Sequence, residues 1–241
     1  MLKSVVETQV LGLVGQDEVA LQPIQTGAQT YQQSFVVGVI PNDWNSNDFI
    51  SLGGIPSAQG TGSQQIKGNF CYLKNTTVNM RLDTNAASGG SVPCEVRCVV
   101  FKPKRAFTGG SNMLDPALHL FLSPSGVPLS WGTSGQSGYS LMMAPVNRRN
   151  YTVVKDFSFM MQAHQRPGQG YDTTIGKYDC MKKFQFNLPH NIKANIVQGA
   201  IKNYDPNYCI TFIVRPIGHD GGTGPDLFEV NARGSTTYMD A

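Results

Sequence analysis

Charge is what this sequence has least of. Only 15% of its 241 residues are Asp, Glu, Lys or Arg, against about 25% in an ordinary soluble domain. Long apolar runs are missing too, and none approaches the roughly 18 residues of a membrane-spanning helix. Met1 is followed by Leu2 and Lys3 with no apolar core and cleavage site behind them, so no secretory leader is expected. There is no internal repeat, low-complexity tract or charge run. No segment keeps helical periodicity over three turns, which leaves one β-rich domain as the simplest parse.

The patterns of most catalytic classes are absent as well. The five cysteines, Cys71, Cys94, Cys98, Cys180 and Cys209, form no CxxC and lie in or beside apolar, strand-like segments. They read as buried free thiols in a chain folded under reducing conditions. The four histidines, His119, His164, His190 and His219, never reach metal-ligand spacing. Gly60-Thr61-Gly62 lacks the ending of a phosphate loop, and Gly168–Gly170 opens no helix. Ser123-Pro124-Ser125-Gly126 lacks the frame of a nucleophile elbow. The acidic loop around Asp43 and Asp48 lacks the closing Glu of a calcium loop. No cofactor, no metal and no enzyme activity are expected.

What is present is turn residues and strands. The chain holds 26 Gly and 14 Pro. Its longest strand signal follows the turn-forming Gln59–Asn69 and runs to Leu82. Phe70, Tyr72, Thr76, Val78, Met80 and Leu82 occupy even positions, and Asn75, Thr77, Asn79 and Arg81 odd ones. Period-two alternation marks a half-buried strand. Leu73 and Lys74 break the alternation, which predicts a bulge there. Further strands are expected over Leu2–Leu13, Gln32–Ile40, Glu95–Lys102, Tyr151–Gln162 and Phe184–Leu188. Tyr208–Ile217, apolar on both faces, reads as an internal strand. Ile192–Ile201 is where a helical turn competes. Residues 1–30 read as an arm or first strand, 106–146 as a long surface loop region, and 220–241 as a polar tail. About eight strands with long loops predict an all-β sandwich or barrel.

The net charge of +3 is weak evidence for a polyanionic partner. The placement of the basic residues says more. Lys67, Lys74 and Arg81 lie on the central stretch. Lys102, Lys104 and Arg105 end the next strand, and Arg148, Arg149 and Lys155 surround the start of the Tyr151 strand. Lys182, Lys183 and Lys193 come later. Most sit near strand ends, where a sandwich can gather them on one surface. Such a patch with nearby aromatics suits sequence-tolerant contact with nucleic acid. Ordinary solubility charge accounts for it equally well.

Four segments together resemble the capsid proteins of small circular single-stranded DNA viruses. Gln59-Gly60-Thr61-Gly62 is similar to that family's glycine-rich turn, Gln65-Ile66-Lys67-Gly68-Asn69 to its shifted continuation, and Leu73-Lys74 to the following pair. Val96–Arg105, Asn147–Phe159 and Tyr208–Gly218 resemble later strands. The resemblance implies a single jelly roll of eight strands in two packed antiparallel sheets. It also implies a virion component of many identical copies, assembled in the host nucleus or cytoplasm into an icosahedral shell around a single-stranded genome. On that reading Lys67, Lys74, Arg81, Lys102, Lys104, Arg105, Arg148 and Arg149, chosen for their placement near strand ends, are the expected nucleic-acid-binding residues of an inner surface. A host receptor is implied but not specified, and no membrane. Members of the family carry an arginine-rich arm, whereas Met1–Gln32 holds one Lys and no Arg. This departure leaves genome contact to a segment outside the chain or to the folded surface.

Scarce charge suits a subunit whose rim is buried against neighbours. Trp44, Trp131 and Tyr139 lie in loops and are the expected subunit-interface anchors; folding back onto their own sandwich is the competing reading. Two alternatives remain at this stage. One is a coat protein of a small RNA or satellite virus. The other is a carbohydrate-binding jelly-roll module that stacks sugars on Trp44 and Trp131.

Overall fold

The computed structural model describes residues 8–12, 16–20, 22–23, 31–37, 44, 49–52, 70–84, 93–104, 115–130, 138–162, 181–197, 200–202, 208–217 and 228–240. In chain order the strands are β1 (Thr8–Gly12), β2 (Gln16–Ala20), β3 (Gln22–Pro23), β4 (Tyr31–Val36), β5 (Phe49–Ser51), β6 (Phe70–Thr84) and β7 (Cys94–Pro103). The short helix α1 (Pro116–His119), β8 (Phe121–Leu122), β9 (Pro128–Leu129) and helix α2 (Gly138–Met143) follow. Then come β10 (Tyr151–Met161), β11 (Met181–Val197), β12 (Ala200–Lys202), β13 (Cys209–Pro216) and β14 (Phe228–Asp240). The expectation of about eight strands is exceeded: the described residues hold fourteen.

Twelve of these strands form two six-stranded sheets, and β8 pairs with β9. The first has the order β1-β14-β6-β11-β12, with β2 also on β14; the second has β10-β7-β13-β4-β3, with β5 on β4. Pairing is antiparallel except between β4 and β5. The pairings nest: β1 with β14, β4 with β13, β6 with β11 and β7 with β10. A long antiparallel ribbon folded over on itself makes such pairs, and the fold-over adds β14 beside β6 and β13 beside β7.

The bulge expected at Leu73–Lys74 is present. Against β14 the register jumps from Asn75 to Leu73, skipping Lys74. Against β11 it jumps at the same place, between Pro189 and Ile192, where Asn191 takes φ 53°, a left-handed conformation that Asn tolerates better than most residues. One consequence differs from the simple alternation. Thr76, Val78, Met80 and Leu82 point inward, but across the bulge it is Cys71 and Leu73 that are buried. An extra residue shifts parity by one, so Tyr72 is turned to the opposite face.

Three other segments depart from the expectations. The polar tail of 220–241 contains β14, the strand paired with β6 through the middle of the first sheet. Val230, Ala232, Thr236 and Tyr238 are buried at alternate positions, and short or polar side chains hid that alternation. The described part of Ile192–Ile201 makes no helical turn; β11 runs through it to Val197 and β12 pairs back. The described parts of 106–146 are not simply surface loop. They lie across the outer face of the second sheet.

That cover exists because β7, β13 and β4 are apolar on both faces. Inward, Val96, Cys98, Val100, Ile210, Phe212, Val214 and Phe35 pack against Val78, Met80, Leu82, Phe186 and Val230 of the first sheet. Outward, Val99, Phe101, Ile213 and Val36 pack against Ala117, Leu120, Phe121, Leu129, Leu141 and Val146. Each fully buried Phe, Leu or Val contributes about 1.5–3 kcal/mol. Ser34 Oγ donates to Gln32 Oε1 at 3.2 Å and is 2.8 Å from Thr211 Oγ1, which satisfies the hydroxyls beneath the cover.

Arg97 fastens the cover. Its Nε and Nη2 donate to the two carboxylate oxygens of Asp156 at 2.9 and 2.7 Å. Its Nη1 donates to the carbonyls of Leu141, Met142 and Ala144 at 2.8, 3.2 and 2.7 Å, groups that the end of α2 leaves without intrahelical partners. The guanidinium carbon lies 5.0 Å from the Phe121 ring centre. A buried guanidinium is costly unless it is fully bonded in this way.

Replacing Arg97 by Ala is expected to cost about 3 kcal/mol, which lowers the melting temperature of a chain this long by about 10 °C. Arg97→Lys, a point charge in place of a fork, is expected to recover less than half, as measured by circular dichroism. The thiols give a second expectation. Cys71, Cys94, Cys98 and Cys209 are buried thiols outside any disulfide. Burial pushes Cys94 up to about 12 and raises Cys98 and Cys209 well above the ordinary thiol range. Near pH 8, Ellman's reagent should therefore leave these four unmodified until the chain unfolds. Since the unfolded thiols ionise first, near a pH of about 8.5, the native state binds more protons above that pH. Stability is expected to fall with rising pH there and to be insensitive to these groups below it.

Candidate nucleic-acid interface

The basic residues expected on one inner surface separate into two places. Lys67 and Arg105 lie outside the described residues. Lys102, Lys104, Arg148 and Arg149 meet where β7 ends and β10 begins. The Lys104 amide donates to the Asn150 carbonyl at 2.8 Å, and Lys104 Nζ donates to the Arg148 carbonyl at 2.6 Å. Lys102 Nζ sits 5.4 Å from the Tyr208 ring centre. The Tyr208 hydroxyl donates to the Pro189 carbonyl at 2.5 Å, so this end of the second sheet abuts the bulged end of the first. His190 is held there too, its Nε2 2.7 Å from Thr76 Oγ1, which is itself 2.7 Å from Thr236 Oγ1.

Lys74 and Arg81 belong instead to the solvent face of the first sheet. Register assembles that face row by row. Lys183, Arg81 and Asn231 are direct cross-strand neighbours, and Gln185, Asn79 and Arg233 form the next row. These six line a shallow concavity of about 360 Å³. Arg81 Nε pairs with Asp83 at 2.6 Å. Toward the bulge the rows become neutral, with Asn75 Nδ2 donating to Asn187 Oδ1 at 2.9 Å. Beyond it, Lys193 lies opposite Tyr72. Its Nζ stands 3.8 Å from the Phe70 ring centre and 6.0 Å from that of Tyr72. Tyr72 is 42% exposed.

Sequence reasoning missed Arg233, because it lies in the segment read as a tail, and it did not join Lys183 to Arg81. The alternation of Val230, Ala232, Thr236 and Tyr238 is the signal that would have found both. The expected interface anchors also fare differently. Trp44 is 4% exposed and packs on Phe49 with ring centres 4.7 Å apart, so it folds back into its own subunit and cannot anchor a neighbour. Tyr139 lies in α2, and Trp131 lies outside the described residues. Among the described residues no group of three or more His, Cys, Asp or Glu could hold a metal ion.

No protein-family model matches the chain, and no curated protein matches it in sequence. Among solved structures, a chain of Desmodium yellow mottle tymovirus is similar with a TM-score of 0.39 and 8% identity, over 98% of this chain and 87% of that one. The capsid protein of the crystal structure of a 60-mer BFDV capsid is similar with a TM-score of 0.34 and 10% identity, over 98% of this chain and 94% of that one.

Proposed function

We propose that this chain is a viral coat subunit, many identical copies of which close a small icosahedral shell around a single-stranded genome. The observation that carries the reading is the nested strand pairing, first with last and inward to β7 with β10. Apart from the short added strands, that pairing supports the wrapping of an eight-stranded jelly roll, an architecture used by capsid and lectin domains. The resemblance of Gln59–Leu82, Val96–Arg105, Asn147–Phe159 and Tyr208–Gly218 to capsid proteins of small circular single-stranded DNA viruses supports the capsid use and a DNA genome. Burial of Trp44 weighs against the lectin use, which needs that ring free to stack on a sugar.

Purified protein examined by size-exclusion chromatography and negative-stain microscopy is expected to form closed particles of uniform size. Nuclease treatment of the nucleic acid extracted from them should destroy it with DNase and spare it with RNase. RNase sensitivity would transfer the reading to a small RNA virus. A monomer at high concentration, across salt and pH, would overturn it altogether.

A further inference from the structure

We infer that β10 is a self-association edge, on which a second copy of this chain adds its own β10 antiparallel across a two-fold axis at Ser158. This goes beyond the coat-subunit reading and does not rest on it, since the pairing needs two copies and no shell. A free sheet edge offers unpaired N–H and C=O groups, and proteins usually keep such edges short or guarded. Among the described residues the other edge strands, β1, β2, β3, β5 and β12, have five residues or fewer. β10 has eleven and, among those same residues, pairs only with β7. Its guards are the bulge between Val153 and Lys155 and the charge of Lys155, and both sit at one end. The remainder, 156–161, holds no proline and one charge. That charge, the Asp156 carboxylate, is already held by Arg97.

The occupant follows from symmetry. Alternate residues of an edge strand turn their backbone N–H and C=O groups outward. Two copies of one edge therefore pair only residues of the same parity, and the two-fold axis falls on a residue. The regular run beyond the bulge is 155–161, and its middle residue is Ser158. That register uses the whole run. It sets Phe157 against the partner's Phe159, Phe159 against the partner's Phe157, and Ser158 against its own copy. Aromatic pairs and hydroxyl pairs are favoured across strands. Phe157 and Phe159 are only partly buried. Their rings stack with centres 6.1 Å apart, and Phe184 packs on them at 5.9 and 5.3 Å. The partner's two rings close the open flank of this cluster. Met160, 52% exposed, gains cover on the other face beside the partner's Asp156. A charged foreign strand finds little to pair with, since the one unclaimed charge, Lys155, is drawn over the Phe186 ring at 5.5 Å. Seven residue pairs lie at the small end of the roughly 1,200–2,000 Å² of stable complexes, so the free dimer is a weak one.

Ser158→Cys in a Cys180→Ser background tests the axis, the other four cysteines being buried. Directly opposite residues have Cβ atoms about 5 Å apart, a small shift from disulfide distance. Mild oxidation of the full chain is therefore expected to give a covalent dimer on a non-reducing gel. Thr152→Cys, also at an exposed position, lies about 40 Å from its copy in this register and should cross-link at least about tenfold more slowly. Ser158→Lys sets like charges face to face. It should weaken dimerisation at least about tenfold in sedimentation equilibrium, run below the concentration at which particles form. Circular dichroism melts check folding, and if Ser158→Lys unfolds, Ser158→Asp takes its place. Equal cross-linking by the two cysteine variants overturns the edge, as does dimerisation of the folded charge variant within twofold of the parent. A Ser158→Cys thiol that takes maleimide but does not cross-link leaves the strand to another partner and overturns self-pairing. One closed to maleimide without cross-linking is covered from within the subunit, which overturns it too. Particles are scored by microscopy on the same samples. Shells without a Ser158→Cys dimer sink the edge alone, and dimers without shells sink the coat reading alone.

Discussion

The central strands of the second sheet have no wet side, and the rest of the molecule is arranged around that constraint. β7, β13 and β4 carry apolar side chains on both faces. Such a sheet is stable only between two coverings, because its exposed faces would each lose tens of buried methyl and methylene groups to water. The first sheet provides one covering and the segment from α1 to α2 the other. The second covering has little regular structure of its own. Its backbone polar groups therefore need partners from elsewhere, and Arg97 supplies them, reaching from β7 to three carbonyls around the end of α2 while its other nitrogens hold Asp156 of β10. One side chain thus ties the edge strand, the sheet and the cover together.

The first sheet obeys a different rule. It buries one face only and leaves the other polar, and the bulge at Lys74 decides what that polar face contains. Without the extra residue, Tyr72 would lie on the same side as Val78 and Met80, and the solvent face would carry Cys71 and Leu73. The bulge, shared by β6 and β11 and eased by the left-handed Asn191, exchanges them. A single inserted position therefore brings an aromatic ring onto the surface where register has already gathered Lys183, Arg81 and Arg233. A defect in pairing becomes the feature that distinguishes one end of the face from the other.

Much of this was legible in the chain. The alternation from Thr76 to Leu82, the break at Leu73–Lys74 and the two-faced Tyr208–Ile217 follow from side-chain period alone. So does the burial of Cys71, Cys94, Cys98 and Cys209, each set in or beside an apolar run; Cys180 lies outside the described residues. β14 was not legible, because its inward residues include Ala232 and Thr236, whose burial depends on small volume and on the hydroxyl partner Thr76 rather than on apolarity. Trp44 was misread for a related reason: polar neighbours in sequence say nothing about an aromatic partner such as Phe49 reached through the fold. Arg97 was read as one more strand residue, since its five hydrogen bonds come from residues 44 to 59 positions away.

The sequence by itself determined that the chain would be built of strands, which of them would alternate, where one would bulge and which would be internal. These are properties of a residue and its near neighbours, set by backbone sterics and the two-residue period. Only the tertiary structure decided which strands pair, that a polar terminal segment fills the centre of a sheet, and which cations share a face. Those outcomes depend on contacts between residues far apart in the chain, such as Arg81 with Asn231 and Thr8 with Met239. Only chain closure and the burial of two cores at once bring such residues together.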